Sequence, residues 1–179
     1  MVSCWNMMGP IRGRNGRTET ADTEKERSMI KLSTKGRYGT RLMVNLARHY
    51  DEGPKAIILK SVADAEGISI RYLEQIIIPL KINKLVKSIR GAGGGYTLAR
   101  KPSEIKVCDI LHALEGTCSL VECVEDETSC DKVATCGTYE IWKAASVMMK
   151  NYFESISLVD VIEITDKKIA AAKKKAKAK

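Results

Sequence analysis

The sequence predicts a mainly α-helical fold carrying one small β-hairpin, and three features predict it. Apolar residues recur at helical spacing through Tyr38, Leu42, Leu46 and Tyr50, and again through Ile141, Ala145, Met148, Tyr152 and Ile156. Two short β-prone runs, 85–89 and 96–98, flank the glycine-rich stretch Gly91-Ala92-Gly93-Gly94-Gly95, which reads as a hairpin. Helix-breaking residues (Gly53-Pro54, Gly67 and Gly116) fall between the periodic segments.

Taken in order, residues 1–28 show no periodicity. Gly9, Pro10, Gly13 and Gly16 among scattered charges predict a disordered extension, and Met29 is a candidate translation start. A first helix spans 34–50 and stops at Gly53-Pro54. A second covers 59–65, Gly67 makes a turn, and Ser69 N-caps a third helix reaching about residue 84. Pro79 lies inside it and predicts a kink or an early end near Ile78. After the hairpin, Pro102-Ser103 open a helix to about Leu114, ended by Gly116. A cysteine-bearing loop fills 117–137, and a long helix follows over 138–157. Its second apolar stripe, Trp142, Met149 and Phe153, makes the face wide enough for both core and a partner helix. The Ala/Lys segment 169–179 reads as frayed and solvated. The expected organisation is an extension (1–28), a helical domain with its hairpin (29–116), the cysteine loop (117–137), the long helix (138–160) and a basic tail (161–179).

Charge is distributed unevenly. The net formal charge is +8, the stretch 115–140 is acidic, and residues 167–179 hold seven lysines and no acid. A basic body suits a polyanionic partner, and a basic tail adds non-specific affinity for it. No apolar run approaches the roughly 20 residues of a membrane span, and the polar N-terminus lacks a signal-peptide core, so a cytoplasmic location is expected.

The order helix, turn, helix, hairpin is that of a winged helix-turn-helix. Ala63 is small where two helices must approach, and Val62, Ile68, Leu73 and Ile76 supply the contacts between them. The third helix then offers Ser69, Arg71, Tyr72, Glu74 and Gln75 near its N-terminus, the end that enters the major groove in this motif. Arg71 suits guanine or phosphate, Gln75 adenine, and Glu74 a cytosine amino group. In the wing, Lys84, Lys87 and Arg90 surround glycines, including Gly93 and Gly94, that let backbone approach phosphate or the minor groove. An αα-hairpin without a DNA role is the plainer reading of the helices alone. A nucleotide-binding loop fails, because Tyr96 stands where its pattern requires glycine.

Six cysteines in a chain expected to be cytoplasmic argue against a disulfide framework. Cys123, Cys130 and Cys136 cluster in the acidic loop without the paired spacing of zinc ribbons. Three thiolates on one loop suit an iron–sulfur cluster, a zinc ion or redox-active thiols, and spacing leaves all three open. Cys108 and Cys118 read as small buried residues, and His49 and His112 as ordinary helix residues. No nucleophile–base pair is visible, so a redox enzyme or electron carrier is the remote alternative and no small-molecule substrate is expected.

Three segments carry a resemblance: Leu32-Ser33-Thr34-Lys35-Gly36-Arg37-Tyr38, Ile68 through Ile76, and Val86 through Tyr96. Together they resemble the Rrf-two family of winged helix-turn-helix regulators, from about Met29 to Ser157. The resemblance implies a homodimer joined through a long C-terminal dimerisation helix and bound to double-stranded promoter DNA. In cluster-bearing members it implies three cysteine ligands after the wing, to which Cys123, Cys130 and Cys136 correspond, holding a [2Fe–2S] or [4Fe–4S] cluster. Trp142, Glu74, Gln75 and Arg90 also match family positions. IscR-like members place histidine where this chain has Tyr139, and NsrR-like members place an acid where it has Arg37. The fourth ligand is therefore unassigned among Tyr139, Glu140, Cys118, Cys108 and an exogenous group. A cluster-free, CymR-like regulator controlled by thiol oxidation or a protein partner is the alternative.

Overall fold

In the computed structural model, α1 (Thr34–Arg48), α2 (Leu59–Glu66) and α3 (Ile70–Ile82) precede a hairpin of β1 (Val86–Ile89) and β2 (Gly95–Leu98). A 3₁₀ turn (Pro102–Glu104), α4 (Val107–Glu115) and the short α5 (Glu122–Glu125) follow. Two more 3₁₀ turns lead to α6 (Gly137–Ser155) and α7 (Leu158–Lys177). The structure describes residues 32–50, 56–91 and 93–177, all within one compact unit, Leu32–Lys179. The expectations for 1–28, Met29 and Gly53-Pro54 lie outside the described residues.

Local chemistry fixes the helix starts. The Ser33 hydroxyl accepts from the Gly36 N–H at 3.1 Å, and the Ser69 hydroxyl from the Tyr72 N–H at 3.3 Å. At α7 the pairing is reciprocal: the Ser157 N–H donates to the Asp160 carboxylate at 2.7 Å, and the Asp160 N–H to the Ser157 hydroxyl at 3.3 Å.

The core joins almost every element. Leu42, Met43 and Leu46 of α1 are buried with Val62 of α2 and with Leu73, Ile76, Ile77 and Leu80 of α3. Leu85 and Leu98 bring in the hairpin, Ile110 and Leu114 bring in α4, and Leu158 anchors α7. The α1–α4 crossing is close enough to exclude any side chain at Gly39, where a Cβ would lie 2.1 Å from Leu114 Cδ1. The strands pair antiparallel in register Val86↔Leu98 to Ile89↔Gly95. Ile57 extends this sheet through an isolated bridge to Tyr96, with reciprocal backbone bonds of 2.9 Å, a pairing the sequence did not announce.

Four expectations change. The third helix does not end near Ile78; it runs through Pro79 to Ile82, held by the burial of Ile77 and Leu80 on either side. It closes with the Leu85 N–H on the Leu80 carbonyl at 2.9 Å, and Lys84 takes φ 55 where glycine is usual. The single helix expected from Pro102 to Leu114 is a 3₁₀ turn and then α4. The long helix stops at Ser155, because 156–158 run extended against 105–107: the Val107 N–H donates to the Ile156 carbonyl at 2.9 Å and the Leu158 N–H to the Ile105 carbonyl at 3.0 Å. Residues 169–177 of the Ala/Lys segment, expected to be frayed, are the last turns of α7. The first half of α7 packs on α1 through Leu158 and Ile162 and pairs Asp166 with Arg48.

Leu158→Ala tests this docking. Loss of a fully buried leucine costs about 2–5 kcal/mol, so a marked fall in the urea midpoint is expected. A change within roughly 0.5 kcal/mol, the range for surface sites, would mean α7 is not part of the folded core.

Candidate nucleic-acid interface and cysteine loop

Helix α3 has two sharply different faces. Leu73, Ile76, Ile77 and Leu80 are buried, while Ser69, Arg71, Glu74 and Gln75 are exposed. The turn before it is tight: Gly67 takes φ 63, and the Ile68 N–H reaches the Ala63 carbonyl at 3.1 Å. Arg71 and Gln75 stand one turn apart on the open face, and Glu74 lies beside them. The Ser69 hydroxyl is engaged as the helix cap. Tyr72 is half-buried and meets Tyr38 edge-on, with centroids 6.0 Å apart. Arg37 and Arg41 lie over the Tyr38 ring at 5.8 and 5.6 Å. Tyr72 thus props the helix against α1 as well as lining its front.

The open face continues further than expected. Ile78 is 57% exposed and Ile82 73%, in line with Arg71 and Gln75 along the helix. Their spacing is present in the sequence, but three successive isoleucines, Ile76 to Ile78, carry no period that marks which one faces out.

In the wing, Lys87 and Arg90 are exposed at the hairpin, and Gly93 sits at the tip. Gly94 closes the turn through its N–H on the Gly91 carbonyl at 2.9 Å. A side chain there would meet the Ile89 carbonyl oxygen at 2.6 Å. Backbone and cations are therefore offered together, without bulky side chains between them.

The loop after α4 is built from short turns. Asp126 accepts from the Thr128 hydroxyl at 2.6 Å and from the Thr128 N–H at 2.9 Å, and these bonds, the hydroxyl first, hold its carboxyl below the usual carboxylate value. Cys123 lies half-buried in α5, Cys130 is exposed, and Cys136 is half-buried at the start of α6. The Cys136 sulfur lies 3.1 Å from the Thr138 hydroxyl, and that contact with the Tyr139 N–H lowers its pKa. Thiols are the right donors for an iron–sulfur cluster. Among the described residues, however, no three His, Cys, Asp or Glu side chains are gathered to hold a metal ion. Nor is Tyr139 presented as a fourth ligand. It is buried, and its hydroxyl donates to Glu127 at 2.5 Å. Lys143 completes the clamp, 3.6 Å from Glu127 and 5.1 Å over the Tyr139 ring.

Helix α6 leaves Ile141, Trp142, Val147, Met148 and Tyr152 exposed, whereas Ala145, Met149, Phe153 and Ile156 are half-buried. Of the two stripes foreseen, most of one is therefore uncovered. Cys108 is buried and Cys118 half-buried. Burial first, and the adjacent Cys118 thiol next, push the Cys108 thiol up to about 11. His49 bonds through Nδ1 to the Asn45 carbonyl at 2.9 Å, and His112 is exposed on α4.

A family model described as an iron-dependent transcriptional regulator, Rrf2, matches residues 32–164. The chain belongs to the Rrf2 family of transcriptional regulators. It is 42% identical to the transcriptional regulator CymR of Bacillus subtilis over 137 residues, covering 76% of this chain and 93% of that protein. The solved structure of B. subtilis CymR, the global cysteine regulator, aligns with a TM-score of 0.63 and 41% identity over 76% of this chain and 98% of that one. The T. potens IscR structure aligns equally well, with a TM-score of 0.63 and 41% identity over 76% of this chain and 89% of that one. The Rrf2 chain is accordingly a DNA-binding regulator and not an enzyme, and its fold is that of the winged-helix members. Among the described residues no helix is long and apolar enough to cross a membrane.

The clamp has a pH signature. Hydrogen bonding from Tyr139, then the charge of Lys143, hold Glu127 below its ordinary value of 4.5. A carboxylate depressed in the folded state stabilises fully above that ordinary value and loses its effect as pH falls through the folded value. Tyr139→Phe should therefore lower Tm at neutral pH, and the gap from wild type should narrow below about pH 4.5. A gap independent of pH would remove Glu127 from the account.

Proposed function

We propose that this Rrf2 chain acts as a cytoplasmic homodimer at promoter sites, with DNA affinity set by an iron–sulfur cluster on Cys123, Cys130 and Cys136. One observation carries the reading: the third cysteine of the loop is the residue that caps α6, and α6 bears the uncovered apolar face. Arg71, Glu74 and Gln75 would read base edges, with Ser69, Tyr72, Lys87, Arg90 and the glycines Gly93 and Gly94 against the backbone. Ile141, Met148 and Tyr152 would pack on the same face of a second copy. Dimer geometry must place the two α3 helices at half-sites about 34 Å apart. A change at Cys136 acts at the root of the helix that sets this separation. Coupling of about 1–3 kcal/mol gives a 5–150-fold switch in affinity.

The likeness to IscR supports the cluster. A bound cluster would supply an oxidisable, detachable group, and the protein would supply three thiolates and leave the cluster type open. The likeness to CymR, and thiols that are not gathered in this structure, favour a second reading in which thiol oxidation or a protein partner is the signal.

Protein purified without oxygen separates the two. Visible absorption with matching iron and acid-labile sulfide, lost when Cys123, Cys130 and Cys136 are changed to serine, is expected. Colourless, iron-free protein that still binds promoter DNA would reject the cluster and leave the thiol reading.

A further inference from the structure

A second pair of thiols stands apart from Cys123, Cys130 and Cys136. Cys108 is on α4, and the chain reverses at Gly116, which takes φ 88, so that Cys118 folds back over the same helix. Both cysteines line one cavity of about 280 Å³, whose far wall is Ser146, Val147 and Lys150 of α6. Within that shared lining the Cys118 thiol, after burial, helps to raise the pKa of Cys108. The returning strand is fixed to α6 by the Leu120 N–H, which donates to the Ser146 hydroxyl at 3.0 Å.

We propose that Cys108 and Cys118 form a reversible disulfide that locks the entrance of the cysteine loop to α4, a modification site separate from Cys123, Cys130 and Cys136. The oxidant class is a low-molecular-weight disulfide such as glutathione disulfide. Cys118 is the more exposed partner and enters first. Its thiolate attacks one sulfur of the small disulfide, forming a mixed disulfide and releasing one thiolate. Cys108 loses its proton to solvent and attacks the Cys118 sulfur, which joins the two cysteines and releases the second thiolate. Two protein thiols are oxidised and one small disulfide is reduced to two thiols. Cys108 takes the resolving role by position, because burial keeps it out of reach of reagents while Cys118 is accessible. The bond would tie α4, which packs on α1 and α3, to the segment that Ser146 holds on α6.

Full-length protein is equilibrated over a series of glutathione to glutathione disulfide ratios, quenched by acid, alkylated and cut after glutamate. That cleavage separates Cys108 (peptide 105–115) from Cys118 (peptide 116–122). A linked pair of these peptides, two hydrogens lighter than their sum, is expected in wild type. It should persist in the variant carrying C123S, C130S and C136S, which lacks all three proposed cluster ligands and so cannot depend on a cluster. It should vanish in C118S, a half-exposed position, and in C108S. Cys108 remaining fully alkylated at the most oxidising ratio would overturn the proposal. So would Cys118 joined only to glutathione or to another cysteine.

Discussion

Everything in this molecule depends on how α3 is held. Its inner residues, Leu73, Ile76, Ile77 and Leu80, are buried against α1, α2 and the base of the hairpin. That burial overrides Pro79, which removes one backbone bond from the helix. Four buried side chains contribute several kcal/mol, enough to keep the helix continuous. Since the inner face is so fully used, the outer face is free for a partner and rigid in orientation. A reading surface has to be both, because a hydrogen bond to a base edge tolerates little misplacement.

The same core reaches the rest of the chain. Leu114 fills the space left by Gly39, fixing α4 across α1. Leu158 brings the C-terminal helix to the same cluster, although α6 itself touches mainly α4 and α5. Helix α6 is thus suspended between two anchored points, the cysteine loop before it and the 105–107 pairing after it. Its uncovered apolar side and its tethered ends are what a dimer helix under the control of a nearby loop requires.

Much of this was legible. Gly67, Ser69 and Gly116 mark helix boundaries by local chemistry, so those ends were foreseen within a residue or two. Ser69, Arg71, Glu74 and Gln75, singled out by the helix-turn-helix order, are exposed, whereas Tyr72, singled out with them, is half-buried. What stayed hidden rests on contacts distant in sequence. Ile57 joins the sheet only because Tyr96 is there to pair with it. The break between α6 and α7 comes from backbone pairing with residues some fifty positions earlier. Tyr139 was one of several residues open as a fourth ligand, and the bond its hydroxyl donates to Glu127, twelve residues before it, was not visible in the sequence. Cys108 and Cys118 read as small buried residues, and the chain reversal brings both to the lining of one cavity.

The most direct measurement is binding of DNA sites selected from a random pool, compared with binding of unselected DNA, for wild type and Gln75→Ala. If the open face of α3 reads bases, the variant should lose about 1–3 kcal/mol on the selected site, with that loss confined to one base position. Its affinity for unselected DNA and its salt dependence should stay as they were. Equal losses on both DNAs, or no loss on either, would contradict the account.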